Sequence, residues 1–255
     1  MIHRVELETY LQNYLEVDAF QDYAPNGLQI EGQANIQRIC TAVTASLDVI
    51  EAACAFQADA LIVHHGYFWK GEDPTLRGMK RTRIAKLLQH DMNLLAYHLP
   101  IDCHTTLGNN ACIAKKLDLK HVKSHAAGKT PDLLWSGELT KPLFDLQAFT
   151  QQLARVFDRA PQVISADNSN KAIKKIAFCS GGAQDYIIDA AALGVDAYIS
   201  GEISERTYYQ AKELDIHYFA CGHHATERDG IHALGKHLAE QFALEHRFLD
   251  SDNPV

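Results

Sequence analysis

A thirty-residue stretch of this chain recurs later without a gap, and that repeat limits the folds open to it. The segment "IQRICTAVTASLDVIEAACAFQADALIVHH" (36–65) lines up on "IKKIAFCSGGAQDYIIDAAALGVDAYISGE" (173–202). Ile36 falls on Ile173, Ile39 on Ile176, Ala53 on Ala190, and Asp59-Ala60 on Asp196-Ala197. Each window reads as an apolar strand, a helix and a second apolar strand. In the first, residues 38–46 form the strand and 47–58 the helix, with Ser46 as its N-cap, and "DALIVHH" (59–65) closes the unit. A helix over 81–92, a strand over 93–99 and a helix within 107–119 follow. Strands alternating with helices in this way indicate βα units around a sheet. The expectation is an α/β protein of two similar, duplicated domains, each a sheet flanked by helices. The polar, aperiodic stretch "HVKSHAAGKTPD" (121–132) reads as the linker, which sets the domains at 1–126 and 127–255.

Histidines gather at the ends of the expected strands. His64 and His65 close one, His98 and Asp102 follow another, and His223, His224 and Glu227 follow a third. Ligand sites in open α/β sheets lie beyond the carboxyl ends of strands. Imidazole and carboxylate together, with no thiolate, suit zinc, iron, manganese or nickel. Two adjacent histidines suit two ions better than one, so the residues point to a metal site in a cleft between the two domains. They do not choose between His223 and His224, and they include His98. The hydrolase signatures H-E-x-x-H and H-x-H-x-D-H are absent. His90, His121, His125, His217, His232, His237 and His246 have no such company and read as hydrogen-bonded or surface residues. Glu202, after Gly201 at a strand end, is a candidate general acid or base. Tyr67, Phe68 and Trp69 read as core packing or as a stacking surface for a base, and Asn26-Gly27 as a tight turn.

Composition removes several function classes. The net charge is -8 and no Lys/Arg run exceeds Lys174-Lys175, so a duplex nucleic-acid partner, which needs a cationic stripe, is not expected. The six cysteines form no C-x-x-C pair and read as reduced thiols of a cytoplasmic protein. No apolar run approaches the ~18 residues of a membrane span, and Glu6 and Glu8 make the first residues unlike a signal peptide.

"DYAPNGLQIEG" (22–32), "DALIVHHGYFWKG" (59–71), "YHLPIDCHTTLGNNA" (97–111), "GVDAYISGEISE" (194–205) and "ACGHHATERDGI" (220–231) together closely resemble the Nif-three-like family. Its members are also catalogued as GTP cyclohydrolase type-two homologues, and this chain is similar to the compact bacterial form. The resemblance implies a dinuclear centre between two α/β domains, with two divalent ions per subunit, in subunits forming a homohexameric ring. Carried over, the ligands are His64, His65, Asp102, His223 and Glu227. In that arrangement Glu227 bridges, His65 and Asp102 hold one ion, and His64 and His223 hold the other. The family pattern leaves out His98, so His98 and His224, with Tyr67, Trp69 and Asn26, become residues that support the ligands or face a substrate.

Two neighbouring ions activate a bridging water and polarise a substrate oxygen. The expected function is therefore a metal-dependent hydrolase of a nucleotide-like substrate, and the family label would make the reaction ring opening of GTP. A phosphoesterase is the alternative enzyme. A metal-binding ring acting as a partner scaffold or metal chaperone is the non-enzymatic alternative.

Overall fold

The computed structural model describes residues 1–167 and 172–255. The chain groups into two compact units, Met1–Gly108 with Arg228–Asp252, and Asn109–Glu227 with Asn253–Val255. Both are mixed α/β structures. No helix among the described residues is long and apolar enough to cross a membrane.

Unit 1 begins with β1 (Ile2–His3), α1 (Arg4–Tyr14), β2 (Gly27–Ile30) and β3 (Asn35–Ile36). It continues through β4 (Arg38–Thr44), α2 (Leu47–Ala55), β5 (Ala60–His65), α3 (Gly78–Gln89), β6 (Asn93–Ala96) and α4 (Leu99–Cys103). The strand β13 (Glu245–Phe248) returns to the edge of its five-stranded sheet, ordered β13-β4-β5-β6-β2. All neighbours are parallel except β2 against β6.

Side chains on a strand alternate between faces, and here both faces are buried. Ile39, Val43, Ala60, Ile62 and Leu95 pack with Leu7 and Leu11 of α1 and with Ile231, Leu234 and Leu238 of α9 (His223–Phe242). Cys40, Ala42, Leu61, Val63 and Leu94 pack with Val49, Ile50 and Ala53 of α2 and Ile84 and Leu87 of α3. Helices on both sides explain why the central strands read as unbroken apolar runs. Ser46 takes the N-cap position of α2, but its side chain makes no capping bond there and donates instead to the Asp48 carboxylate.

Unit 2 starts with α5 (Asn109–Lys116) and a long hairpin, β7 (Lys120–Ala127) and β8 (Thr130–Leu143). Then come α6 (Leu146–Phe157), β9 (Gln162–Ile164), β10 (Ile173–Phe178), α7 (Ile187–Ala192), β11 (Ala197–Ser200), α8 (Glu205–Glu213) and β12 (His217–Ala220). Its sheet runs β7-β8-β10-β11-β12-β9. One face buries Phe149, Leu153 and Phe157 of α6 against Ile176, Phe178, Ile199 and Phe219.

The hairpin replaces the expected linker. Ala127 pairs with Thr130 around Gly128 (φ +57°), so the turn has two residues and the glycine supplies its left-handed position. β7 is an edge strand whose residues are mostly exposed, and without a buried face it carries no alternation to read. The boundary expected between residues 126 and 127 therefore falls inside this hairpin, and neither unit is one continuous stretch of chain.

The repeated windows fold alike within their own units. Ile39 pairs with Ala60 in parallel register, and Ile176 pairs with Ala197. Asp59 accepts the Gln37 and Arg38 amides at 2.7 Å each, and Asp196 accepts those of Lys174 and Lys175 at 3.0 and 2.9 Å. Each aspartate thus ties the start of its second strand to the start of the first. The third strands correspond too, with Val63 beside Ala96 and Ser200 beside Ala220. Counting on from Ala96 and Ala220 sets His98 against Gly222 and Leu99 against His223. His98…Asp102 and His223…Glu227 therefore stand one residue out of correspondence.

His246 of β13 lies beside Thr41, with 2.8 Å between Nε2 and Oγ1, where Gly235 leaves room for the ring. Burial, together with His232 and Lys236, pushes its pKa down to about 4. The unfolded chain, titrating near 6.5, takes up this proton first, so the contribution of His246 is complete above about pH 6.5 and falls as pH drops toward 4. Solvent screens a half-buried group, so a Tm loss of about 2–4 °C is expected across that window. Thermal unfolding of His246→Gln at pH 7.5 and pH 5 should show a smaller acid loss than the parent protein.

Candidate metal centre

In unit 1, β5 ends on His64 and His65, and Gly66 turns the chain. His64 is fully buried, and its Nδ1 lies 3.0 Å from the Tyr97 carbonyl oxygen. A carbonyl only accepts, so Nδ1 carries a proton, and in the neutral ring Nε2 then presents its lone pair. Nε2 lies 3.6 Å from Oδ2 of Asp102, a buried carboxylate on the short helix α4. The separation is too long for a hydrogen bond and suits two donors sharing a cation. His65 Nδ1 lies 3.2 Å from Thr44 Oγ1.

His98 belongs to the same cluster. One ligand atom from each of His64, His65 and His98 falls within 4.8 Å of the others. Its Nδ1 donates to Asp22 Oδ1 at 2.7 Å, which frees Nε2 as a donor to a metal or substrate. Asp22 also accepts the Tyr23 amide at 2.6 Å, the Leu99 amide at 2.9 Å and the Asn26 side chain at 2.9 Å. Burial alone would raise the Asp22 pKa, but His98 and these donors bring it down to about 2. Asn26 in turn accepts the His98 amide at 2.7 Å, so its contribution is to hold the His98 backbone.

The aromatic residues divide. Tyr67 is buried with its hydroxyl donating to the Ala45 carbonyl at 2.7 Å, so it packs the core and is not available to face a substrate. Trp69 is half-buried and stands edge-on to His98, with centroids 5.1 Å apart at 84°. Phe68 is exposed beneath the Lys80 ammonium.

In unit 2 the cluster forms where β10, β11 and β12 end. His223 opens α9, and Glu227 sits one turn on, nearly fully buried, with Oε2 3.2 Å from His223 Nε2. On the other side, His223 Nδ1 donates to Glu202 Oε1 at 2.6 Å. Burial alone would lower the His223 pKa, but the two carboxylates hold it up at about 9. A carboxylate on Nδ1 is the usual way of orienting a metal-ligating histidine. His224 is buried, and its amide donates to the Val255 carbonyl at 3.0 Å.

Glycine makes this arrangement possible. Gly181 has φ +66°, and a Cβ there would overlap the Glu227 carboxylate and lie 3.3 Å from His223 Nε2. The Thr226 hydroxyl accepts the Gly181 amide at 3.0 Å and donates to the Gly222 carbonyl at 2.8 Å, locking loop and helix start together. Residue type and spacing do not single out Asp22, Gly181 or Thr226, although Asp22 and Thr226 lie in the segments that carry the family resemblance and Gly181 in the glycine pair of "CSGG".

The donor set is chemically coherent within each unit: imidazole and carboxylate at strand ends. That set fits borderline divalent ions. The family model for Duf34/NIF3 (NGG1p interacting factor 3) matches residues 2–254. The chain belongs to the Duf34/NIF3 family. This NIF3-family chain is 50% identical to the "GTP cyclohydrolase 1 type 2 homolog" of Yersinia pestis and 48% identical to that of Vibrio cholerae, each over 254 residues and all of both chains. Among solved structures it is similar to protein ybgI, described as of unknown function (TM-score 0.94, 44% identity, all of both chains). It is also similar to TTHA1606 from Thermus thermophilus (TM-score 0.89, 29% identity, all of both chains).

Proposed function

We propose that this NIF3-family protein is a cytoplasmic, dinuclear metal-dependent hydrolase of a nucleotide-like substrate. In this reading His64, His65, Asp102, His223 and Glu227 hold two divalent ions, and the subunits assemble as a homohexameric ring. The two units are read as duplicated, on the strength of their matching strand registers and aspartate ties. The observation that carries the metal assignment is the fully buried His64, tied through Nδ1 to the Tyr97 carbonyl, with the Asp102 carboxylate 3.6 Å from its Nε2.

Two bound divalent ions supply Lewis acidity and an activated water. The chain's own residues do the rest. Tyr97 fixes the tautomer of His64, Asp22 fixes that of His98, and Glu202 orients His223. Glu202 also lines a cavity of about 380 Å³, where its carboxylate can pass a proton to or from a bound substrate. The names of the curated relatives support GTP ring opening as the first reaction to try, with phosphoester hydrolysis as the second.

The test is turnover of metal-replete protein against a panel of nucleotides and phosphoesters. Glu202→Gln should weaken metal affinity about 10–100-fold by loosening His223. At saturating metal its turnover should still be down about 10²–10⁴-fold, the loss typical of a positioned acid or base. Full turnover at saturating metal would leave Glu202 with the orienting role alone. If fully loaded protein turns over nothing, the binding-ring reading takes its place.

A further inference from the structure

One cation beside the unit 2 cluster is not explained by the metal-binding residues. We propose that Arg159 is the anion-recognising residue of the substrate pocket, taking a phosphate group whose attached ring lies toward Tyr208 and Tyr209. This deepens the reading above and rests on it for the substrate's place beside Glu202.

The position of Arg159 follows from the chain. Helix α6 ends with Asp158 in the left-handed conformation (φ 55°), and the Arg159 amide returns to the Ala154 carbonyl at 3.1 Å. The side chain then lies across Gly222, where a Cβ would stand 2.7 Å from its Cδ and 3.0 Å from its Cζ. Only glycine at 222 leaves the guanidinium this seat.

Two of the charges around it already have partners. The cavity of about 380 Å³ is lined by Arg159, Gln162, Glu202, Ile203, Gly222 and Val255 among others. Glu202 bonds His223, and Lys212 of the adjoining cavity pairs with Asp167 at 3.1 Å. Arg159 Nη1 is buried without a hydrogen-bond acceptor. A guanidinium left in this state at a concave surface is suited to a bidentate oxyanion. The start of α9, at the residue after Gly222, is the positive end of a twenty-residue helix. Its His224 amide already takes up one oxygen acceptor, the Val255 carbonyl.

The adjoining cavity gives the rest of the ligand its character. It has a volume of about 690 Å³ and shares Gln162 and Ile203 with the first. Its wall carries Tyr208 and Tyr209, both about half exposed and edge-to-face at 5.3 Å. Exposed tyrosines next to an oxyanion seat suit a flat heterocycle joined to phosphate.

Calorimetric titration of the metal-loaded full chain with GMP, guanosine and inorganic pyrophosphate tests this. GMP should bind about 10–100-fold more tightly than guanosine, the worth of charge-assisted hydrogen bonds. Arg159→Gln should abolish that difference while leaving guanosine binding and metal content unchanged, and Arg159→Lys should retain part of it. Tyr208→Ala should weaken GMP and guanosine together and leave pyrophosphate unchanged. GMP and guanosine binding alike to the parent protein would overturn the proposal, as would undiminished GMP affinity in a metal-loaded Arg159→Gln. Pyrophosphate binding that depends on Arg159 without any contribution from Tyr208 would reduce the site to a free-phosphate seat and overturn the nucleotide assignment. Elemental analysis separates this from the metal reading: a parent protein that takes up no metal yet still discriminates GMP through Arg159 sinks the dinuclear centre and keeps this pocket.

Discussion

Glu227→Gln should cut metal content by at least half and lower any hydrolytic turnover by at least about 100-fold, because the change strikes a proposed ligand directly. The side chain keeps its size, so the space beneath Gly181 stays filled. What changes is charge and hydrogen bonding. The carboxylate now offers anionic oxygens 3.2 Å from His223 Nε2, whereas an amide is neutral. An amide nitrogen turned toward His223 offers neither an anionic ligand atom nor a negative charge to hold a cation. A bridging role makes the effect larger, since a single negative charge would offset the repulsion between two cations. Elemental analysis and single-substrate kinetics on the same preparation measure both quantities. Full occupancy with undiminished turnover in Glu227→Gln would refute Glu227 as a ligand.

The double change His64→Ala with His65→Ala should remove most of the metal. His64 is fully buried, so its loss also opens a cavity, and truncations of this kind cost about 2–5 kcal/mol in packed interiors. A control is therefore needed for destabilisation alone. A ligand that binds only the folded state raises Tm, so chelation should lower the Tm of the parent protein and leave that of the double variant unmoved. His64→Asn with His65→Asn, which keeps polar side chains of smaller volume, should behave the same way. Metal retained at parent levels in either variant would end the dinuclear reading. Uptake by the parent protein should weaken as pH falls, because imidazole must be neutral to coordinate and His223, held up at about 9 by its two carboxylates, takes up a proton first.

Much of the fold was legible because its signals are local. Apolar runs bounded by helical patterns announced β4, α2, β5, α3 and β6, and the repeat carried the same reading to β10, α7 and β11. The residue types at the strand ends were legible for a similar reason: a histidine following an apolar run sits at the strand's carboxyl end whatever surrounds it. The β7–β8 hairpin was not legible, since an exposed edge strand has no buried face to impose alternation. Tyr67 was ambiguous for the opposite reason, because an aromatic residue looks the same in sequence whether its hydroxyl meets solvent or the Ala45 carbonyl.

What sequence alone determined, then, is the unit of construction and the chemistry available at its ends, since both depend on periodicity and residue type over a few neighbours. Tertiary structure decided how those ends are completed. Asp22 reaches His98 across 76 residues of chain, and Gly181 meets the Thr226 hydroxyl across 45. His98 joins His64 and His65 from a second segment of unit 1. Such pairings depend on which loops the sheet brings to one edge, and neither partner's neighbours in sequence record the other. The tautomers of His64 and His98, the raised pKa of His223 and the seat of Arg159 all arise from these distant contacts, so they become visible only once the chain has folded.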